Sequence, residues 1–123
     1  MSSLQRELDG DVRIHHLTQD QRLIEPSLLA RHGRSARTLV KEGPLRLTIV
    51  AIAPGGTIPA HTTDGPITIH VIEGEVTVSA LKQEYALGPS DVLALGPGLE
   101  HAVRSALGGV FLLTVVHQES GAP

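Results

Sequence analysis

From residue 36 onward the chain is a succession of short runs rich in Val, Ile, Leu and Thr, broken by Gly and Pro. The runs cover residues 36–41, 45–53, 57–61, 67–73, 75–81, 83–87, 92–95, 101–105 and 110–117, and each has the length and β-branched content of a strand. The breaks at 42–44, 54–56, 64–66, 88–90, 96–98 and 108–109 carry turn chemistry such as Glu42-Gly43-Pro44 and Asp64-Gly65-Pro66. Strands at this spacing, with no helical period between them, predict an all-β sandwich or barrel instead of a helix-crossed parallel sheet. One helix of a turn or two is predicted over residues 25–33, where Pro26 stands near the start and Gly33 supplies the stop. The first 20 residues read as a polar N-terminal arm, residues 21–118 as the single domain, and residues 119–123 as a frayed end.

Two of the runs, 45–53 and 110–117, are apolar on both alternating sets of positions. A barrel of this size has one inside, so the second face needs a cover, and a homodimer is the expected one. With 123 residues the chain is one core's worth of protein.

Composition removes several classes of chemistry. There is no cysteine, hence no disulfide framework, cysteine metal site or thiol nucleophile. The net charge of −3 is unevenly spread: residues 1–48 carry eight basic and six acidic groups, residues 49–123 only Lys82 and Arg104 against seven acids. Such a body does not attract a phosphate backbone, and with Tyr85 and Phe111 as its only aromatics it has no stacking platform for bases, so no nucleic acid is expected as partner. No apolar run reaches the roughly 20 residues of a membrane span, and the polar opening lacks a signal-peptide pattern. These features predict a cytoplasmic protein without a membrane partner. No Ser sits in a G-x-S-x-G elbow, and the Gly pairs at 55–56 and 108–109 lead into no helix that would cradle phosphate.

Seven histidines are where chemistry can reside. His15 and His16 are adjacent and face opposite ways in an extended chain, His32 lies in a basic stretch with Arg31, Arg34 and Arg37, and His117 is close to the end, so these four read as surface residues. That basic stretch would suit an anionic ligand or a partner subunit, and a solvated face is the simpler reading. Glu73 and Glu75 flank a hairpin glycine and read as solvated, and Asp91 as a turn cap.

His61, His70 and His101 lie among the central strands. Gly55, five residues, His61, and then Gly74 closing Ile69-His70-Val71-Ile72-Glu73-Gly74 resemble the first motif of the cupin superfamily, in which a glycine is followed by H-x-H, a glutamate and a closing glycine. Thr63 and Ile67 stand where that motif has its second histidine and its glutamate. Pro89-Ser90-Asp91, Gly98 and His101 resemble the second motif, with Ser90, Gly96 and Ser105 departing from it. The resemblance spans residues 45–117 and implies a cupin jelly-roll (double-stranded β-helix) barrel with a short N-terminal helical turn. It further implies a cavity in which His61 and His101 hold a divalent metal: zinc, nickel, manganese or iron. Cupins include dioxygenases, isomerases, decarboxylases and pure binding modules, so whether the chain is an enzyme does not follow from the fold.

Two imidazoles fall short of the three or more protein ligands that a divalent ion usually takes. His70 is the chemically attractive third ligand, with Thr63, Asp64 and Glu100 as other candidates. Alignment on Gly74 turns Ile67, Ile69 and Val71 inward and His70 outward, whereas a phase shift at the 64–66 turn would bring His70 into the cavity. The expected function is the handling of a small, fairly apolar ligand in a histidine-bearing cavity, with a divalent metal on His61, His101 and His70. The alternative is a metal-free binding or sensing module.

Overall fold

A computed structural model describes residues 12–18 and 24–118, and the expected frayed end at 119–123 lies outside the described residues. The same holds for most of the N-terminal arm. Among the described residues one helix, α1 (Pro26–His32), precedes nine strands: β1 (Arg34–Glu42), β2 (Leu45–Ile52), β3 (Thr57–His61), β4 (Ile67–Gly74), β5 (Val76–Ala80), β6 (Gln83–Leu87), β7 (Val92–Leu95), β8 (His101–Arg104) and β9 (Gly109–Val116). All nine expected strands are present, with ends within two residues of their expected places. Helix α1 begins with the Glu25 side chain accepting from the Ser27 N–H and ends with Gly33 in the left-handed conformation at φ 77°, its N–H returning to the Leu29 carbonyl.

The strands form two antiparallel sheets, β1-β2-β9-β4-β7 and β3-β8-β5-β6, facing each other as a jelly roll. Alternation decides what goes between them. Val50 and Ile52 of β2, Ile67, Ile69 and Val71 of β4, and Phe111 and Val115 of β9 meet Val76, Val78 and Val103 from the smaller sheet in one buried cluster.

The opposite set on the large sheet, Leu39, Ile49, Ala51 and Val110, forms a second apolar cluster on its outer face. Leu17 from the N-terminal arm, Ile24, and Leu29 from α1 pack against it. Part of the face for which a partner subunit was expected is thus covered by the chain's own arm and helix. Arg13, tied to Glu42 at 2.9 Å, holds the arm over the end of β1. His15, expected at the surface, is half-buried here, and its Nε2 has no hydrogen-bond partner.

One polar cluster works against a simple reading of turns. Ser105 is buried; its hydroxyl lies 2.6 Å from the Glu75 carbonyl and 2.7 Å from Glu75 Oε2, and accepts from the Gly108 N–H at 2.8 Å. Glu75 Oε2 also accepts from the Leu107 N–H at 2.8 Å. Glu75 is therefore a half-buried anchor joining the β4–β5 and β8–β9 turns, where a solvated turn residue was expected. The Leu107 N–H first, and the Ser105 hydroxyl after it, hold its carboxyl below the usual range. Asp91 caps its turn as expected, accepting from the Gly88 N–H at 2.8 Å.

Candidate functional site

A cavity of about 430 Å³ lies between the sheets. Its walls are the inward residues of both: Val50, Ile69, Phe111 and Leu113 from the large sheet, Ile58 and Val103 from the small one. His61 and His101 line it together.

The two histidines are brought together by strand register. In β3–β8 pairing Ile58 stands opposite Val103, and the next matched pair is His61 with His101. Three steps along β3 thus oppose two along β8, which is a β-bulge containing Pro59 and Ala60. Strict alternation from inward Ile58 would turn His61 out of the barrel; the one extra residue turns it in. Proline fits here because β3 is an edge strand and the bulge needs no ladder bond from it. The ring centroids of His61 and His101 are 4.4 Å apart, with planes inclined by 57°.

Each ring is also held by its own strand entry. His61 Nδ1 is 3.0 Å from the Pro59 carbonyl, and His101 Nδ1 is 3.0 Å from the Leu99 carbonyl. A carbonyl can only accept, so each Nδ1 carries hydrogen and donates, and in the neutral ring Nε2 is left as the acceptor. One nitrogen per ring is therefore satisfied by backbone, which removes part of the pressure for a metal that two buried imidazoles would otherwise exert. His101 is 3% exposed, whereas His61 is open to solvent at the rim.

His70 is not part of this pair. It alternates with Ile67, Ile69 and Val71, all in the central cluster, and its cross-strand neighbours are Val92 and Leu112 on the outer side of the large sheet. The 64–66 turn introduces no phase shift, so the expected third ligand sits on the opposite face of β4. Of the other candidates, the Thr63 hydroxyl donates to the Gly65 carbonyl at 3.1 Å, Asp64 Oδ1 pairs with His117 Nδ1 at 3.0 Å, and Glu100 lines a neighbouring polar groove with Lys82, Glu84 and His101 but does not line the cavity itself. Among the described residues no three of His, Asp and Glu are grouped to hold a metal ion. The donor set of the described residues therefore does not fit a tightly held divalent ion.

Sequence reasoning took the mouth of the cavity for a solvated face, with an anionic ligand or a partner subunit as the other readings of its basic stretch. Leu28 and His32, one turn apart on α1 and so on one face, line it together with Arg34 and Ser35 of β1. The helix is placed there by close backbone approach: the Ala53 N–H donates to the Gly33 carbonyl at 2.9 Å, and a Cβ on Gly56 would stand 2.6 Å from that same carbonyl. Arg34 crosses the opening, its Nη1 donating to the Thr57 carbonyl at 2.9 Å. The signal available was the basic stretch 31–37, whose inward member is Arg34.

No helix among the described residues is long and apolar enough to cross a membrane. No curated protein matches this chain. Among solved structures, a conserved protein of unknown function from Streptococcus pyogenes is similar at TM-score 0.71 and 22% identity, over 90% of this chain and 92% of that one. An RmlC-like cupin from Desulfovibrio desulfuricans is similar at TM-score 0.72 and 17% identity, over 86% and 97%. A cupin superfamily protein from Desulfitobacterium hafniense is similar at TM-score 0.67 and 18% identity, over 69% and 78%. These likenesses concern the fold. Residues 48–117 match the cupin domain family (Cupin_2), more than half of the chain, and the protein belongs to that family.

Proposed function

We propose that this protein is a small-molecule binding cupin whose ligand occupies the cavity between the sheets, with His61 and His101 as its polar contacts. The observation that carries the reading is the imidazole pair: two rings at 4.4 Å beside a wall made largely of apolar side chains, each fixed by a backbone carbonyl at Nδ1 so that Nε2 is left as an acceptor. Positioned polar groups in a largely apolar concavity are the ordinary makings of a ligand site. A ligand hydroxyl or N–H donates to these nitrogens, and a protonated ring would donate in turn.

The donor count among the described residues supports the metal-free reading. Calorimetric titration of zinc, nickel and manganese into wild type, His61→Ala, His101→Ala and His70→Ala is the experiment. The expected result is weak uptake at most, lost in His61→Ala and His101→Ala and unchanged in His70→Ala. Tight uptake by wild type, or its loss in His70→Ala, would overturn the metal-free reading.

The same proposal includes self-association and work in the cytoplasm. The half of the outer face that the arm leaves uncovered presents Val92 and Val116, 58% and 43% exposed, beside a shallow apolar groove at Thr68, Ala94 and Thr114. A second copy is the simplest cover for it.

A further inference from the structure

The lining of the cavity is asymmetric in charge. Arg34, His32, His61 and His101 contribute to it, and none of its lining residues is an Asp or Glu. Arg34 stands opposite Ile52 on β1, an inward position, and its bond to the Thr57 carbonyl ties it to the first residue of β3. His61 is the last residue of the same strand. At about 3.3 Å per residue, shortened by the bulge, the guanidinium and the imidazole pair are roughly 10–13 Å apart. Between them the walls are hydrocarbon from Val50, Ile58, Ile69, Val103 and Phe111.

We infer that the ligand is an apolar monoanion, a carboxylate on a hydrocarbon body, bound with its anionic group at Arg34 and His32 and its far end against His61 and His101. The inference rests on the cavity being the ligand site. A neutral apolar ligand filling the mouth would strip water from the guanidinium and offer it nothing in return, whereas a carboxylate accepts from its planar fork of N–H groups. His32, the last residue of α1 before the Gly33 cap, adds a ring nitrogen to the same lining, and Leu28 one turn earlier adds to its apolar wall.

The test is calorimetric titration of octanoate and of its uncharged counterpart octanamide into chelator-treated full-length protein, so that no metal supplies the anion's partner. Wild type, Arg34→Gln, Arg34→Lys and Ala36→Phe are compared, each with a circular dichroism spectrum to confirm the fold. Ala36 lines the cavity beside Arg34, and a phenyl ring there takes up part of its space. Octanoate is expected to bind wild type at least about tenfold more tightly than octanamide, as one charge-assisted contact at a partly solvated mouth provides. Arg34→Gln should erase that preference, Arg34→Lys should keep part of it, added salt should shrink it, and Ala36→Phe should weaken both probes. Equal affinity of the two probes for wild type overturns the anion and leaves the cavity reading standing. A preference that survives Arg34→Gln overturns the placement, as does undiminished binding to Ala36→Phe. If neither probe binds wild type, the inference and the cavity reading fall together.

Discussion

Ser105→Ala tests whether the Glu75 cluster is what closes the barrel's turns. The hydroxyl it removes is 2% exposed and serves two partners: it donates to Glu75, and it accepts from the Gly108 N–H. Alanine leaves the Gly108 N–H without this acceptor, which costs about 1–3 kcal/mol, and it withdraws one donor from a carboxylate that keeps the Leu107 N–H. The combined loss is about 2–4 kcal/mol, a large share of a domain's usual 5–15 kcal/mol. At roughly 4 °C per kcal/mol for a domain of this size, the midpoint of thermal unfolding falls by about 8–16 °C. The effect depends on pH in a definite direction. The folded carboxyl is held below its ordinary value, so its stabilisation is present above the ordinary carboxylate range and is lost as pH falls through the folded value. Because the variant has already lost part of that stabilisation, the gap between wild type and variant should narrow on acidification from pH 6 to about pH 3. Thermal unfolding followed by circular dichroism across that range measures both quantities. A midpoint change under about 3 °C at neutral pH, or a gap that widens in acid, would refute the assignment of Glu75 and Ser105 as an anchor.

Deletion of Ala60 leaves two steps from Ile58 to His61, matching the two from Val103 to His101, so the bulge is removed and His61 stays inward; octanamide and octanoate should both still bind with little change in melting temperature, and lost binding would show that the site needs the bulge itself. Leu17→Asp puts a charge on the covered half of the outer face and should cost about 1–3 kcal/mol in a denaturant titration. Val92→Lys, on the uncovered half, should instead convert a dimer to a monomer in sedimentation velocity without altering stability per chain. A wild type that sediments as a monomer at micromolar concentration removes the self-association proposal.

The strands were legible because nearly all of their information is local. Gly, Pro, Ser and Asp turn chemistry marks most breaks, and β-branched runs fill the intervals, so 57–61, 83–87 and 92–95 match the structure to the residue. The inward set of β4 was equally readable from alternation on Gly74, and Ile67, Ile69 and Val71 are where that counting puts them. What alternation could not say is which apolar face meets solvent, arm or partner. Residues 45–52 look the same whether Ile49 and Ala51 are buried by Leu17 or by another subunit, because the covering segment is more than 25 positions away in sequence and carries no periodic signal of its own.

The candidate site shows the same division more sharply. His61 and His101 were found because spacing to Gly55 and Gly98 is preserved, yet strict alternation along β3 would have placed His61 outside; only the unpaired step at Pro59-Ala60 brings it in. A bulge is a relation between two strands, and nothing in the five residues of β3 alone announces it, apart from a proline that a regular ladder would reject. Arg34 poses the converse problem. In the sequence it is one of several arginines in a polar stretch, and each looks solvated, because the register that pairs it with inward Ile52 is set by β2. The charge at the cavity mouth thus depends on which arginine of the stretch falls on the inward phase. Moving it off the inward phase, as in Arg34→Ser combined with Ser27→Arg at the exposed start of α1, keeps composition and net charge while taking the cation away from the cavity mouth. Octanoate's advantage over octanamide should disappear in that variant as fully as in Arg34→Gln, and a retained advantage would mean that the general basicity of the segment, with no role for the placement of Arg34, attracts the anion.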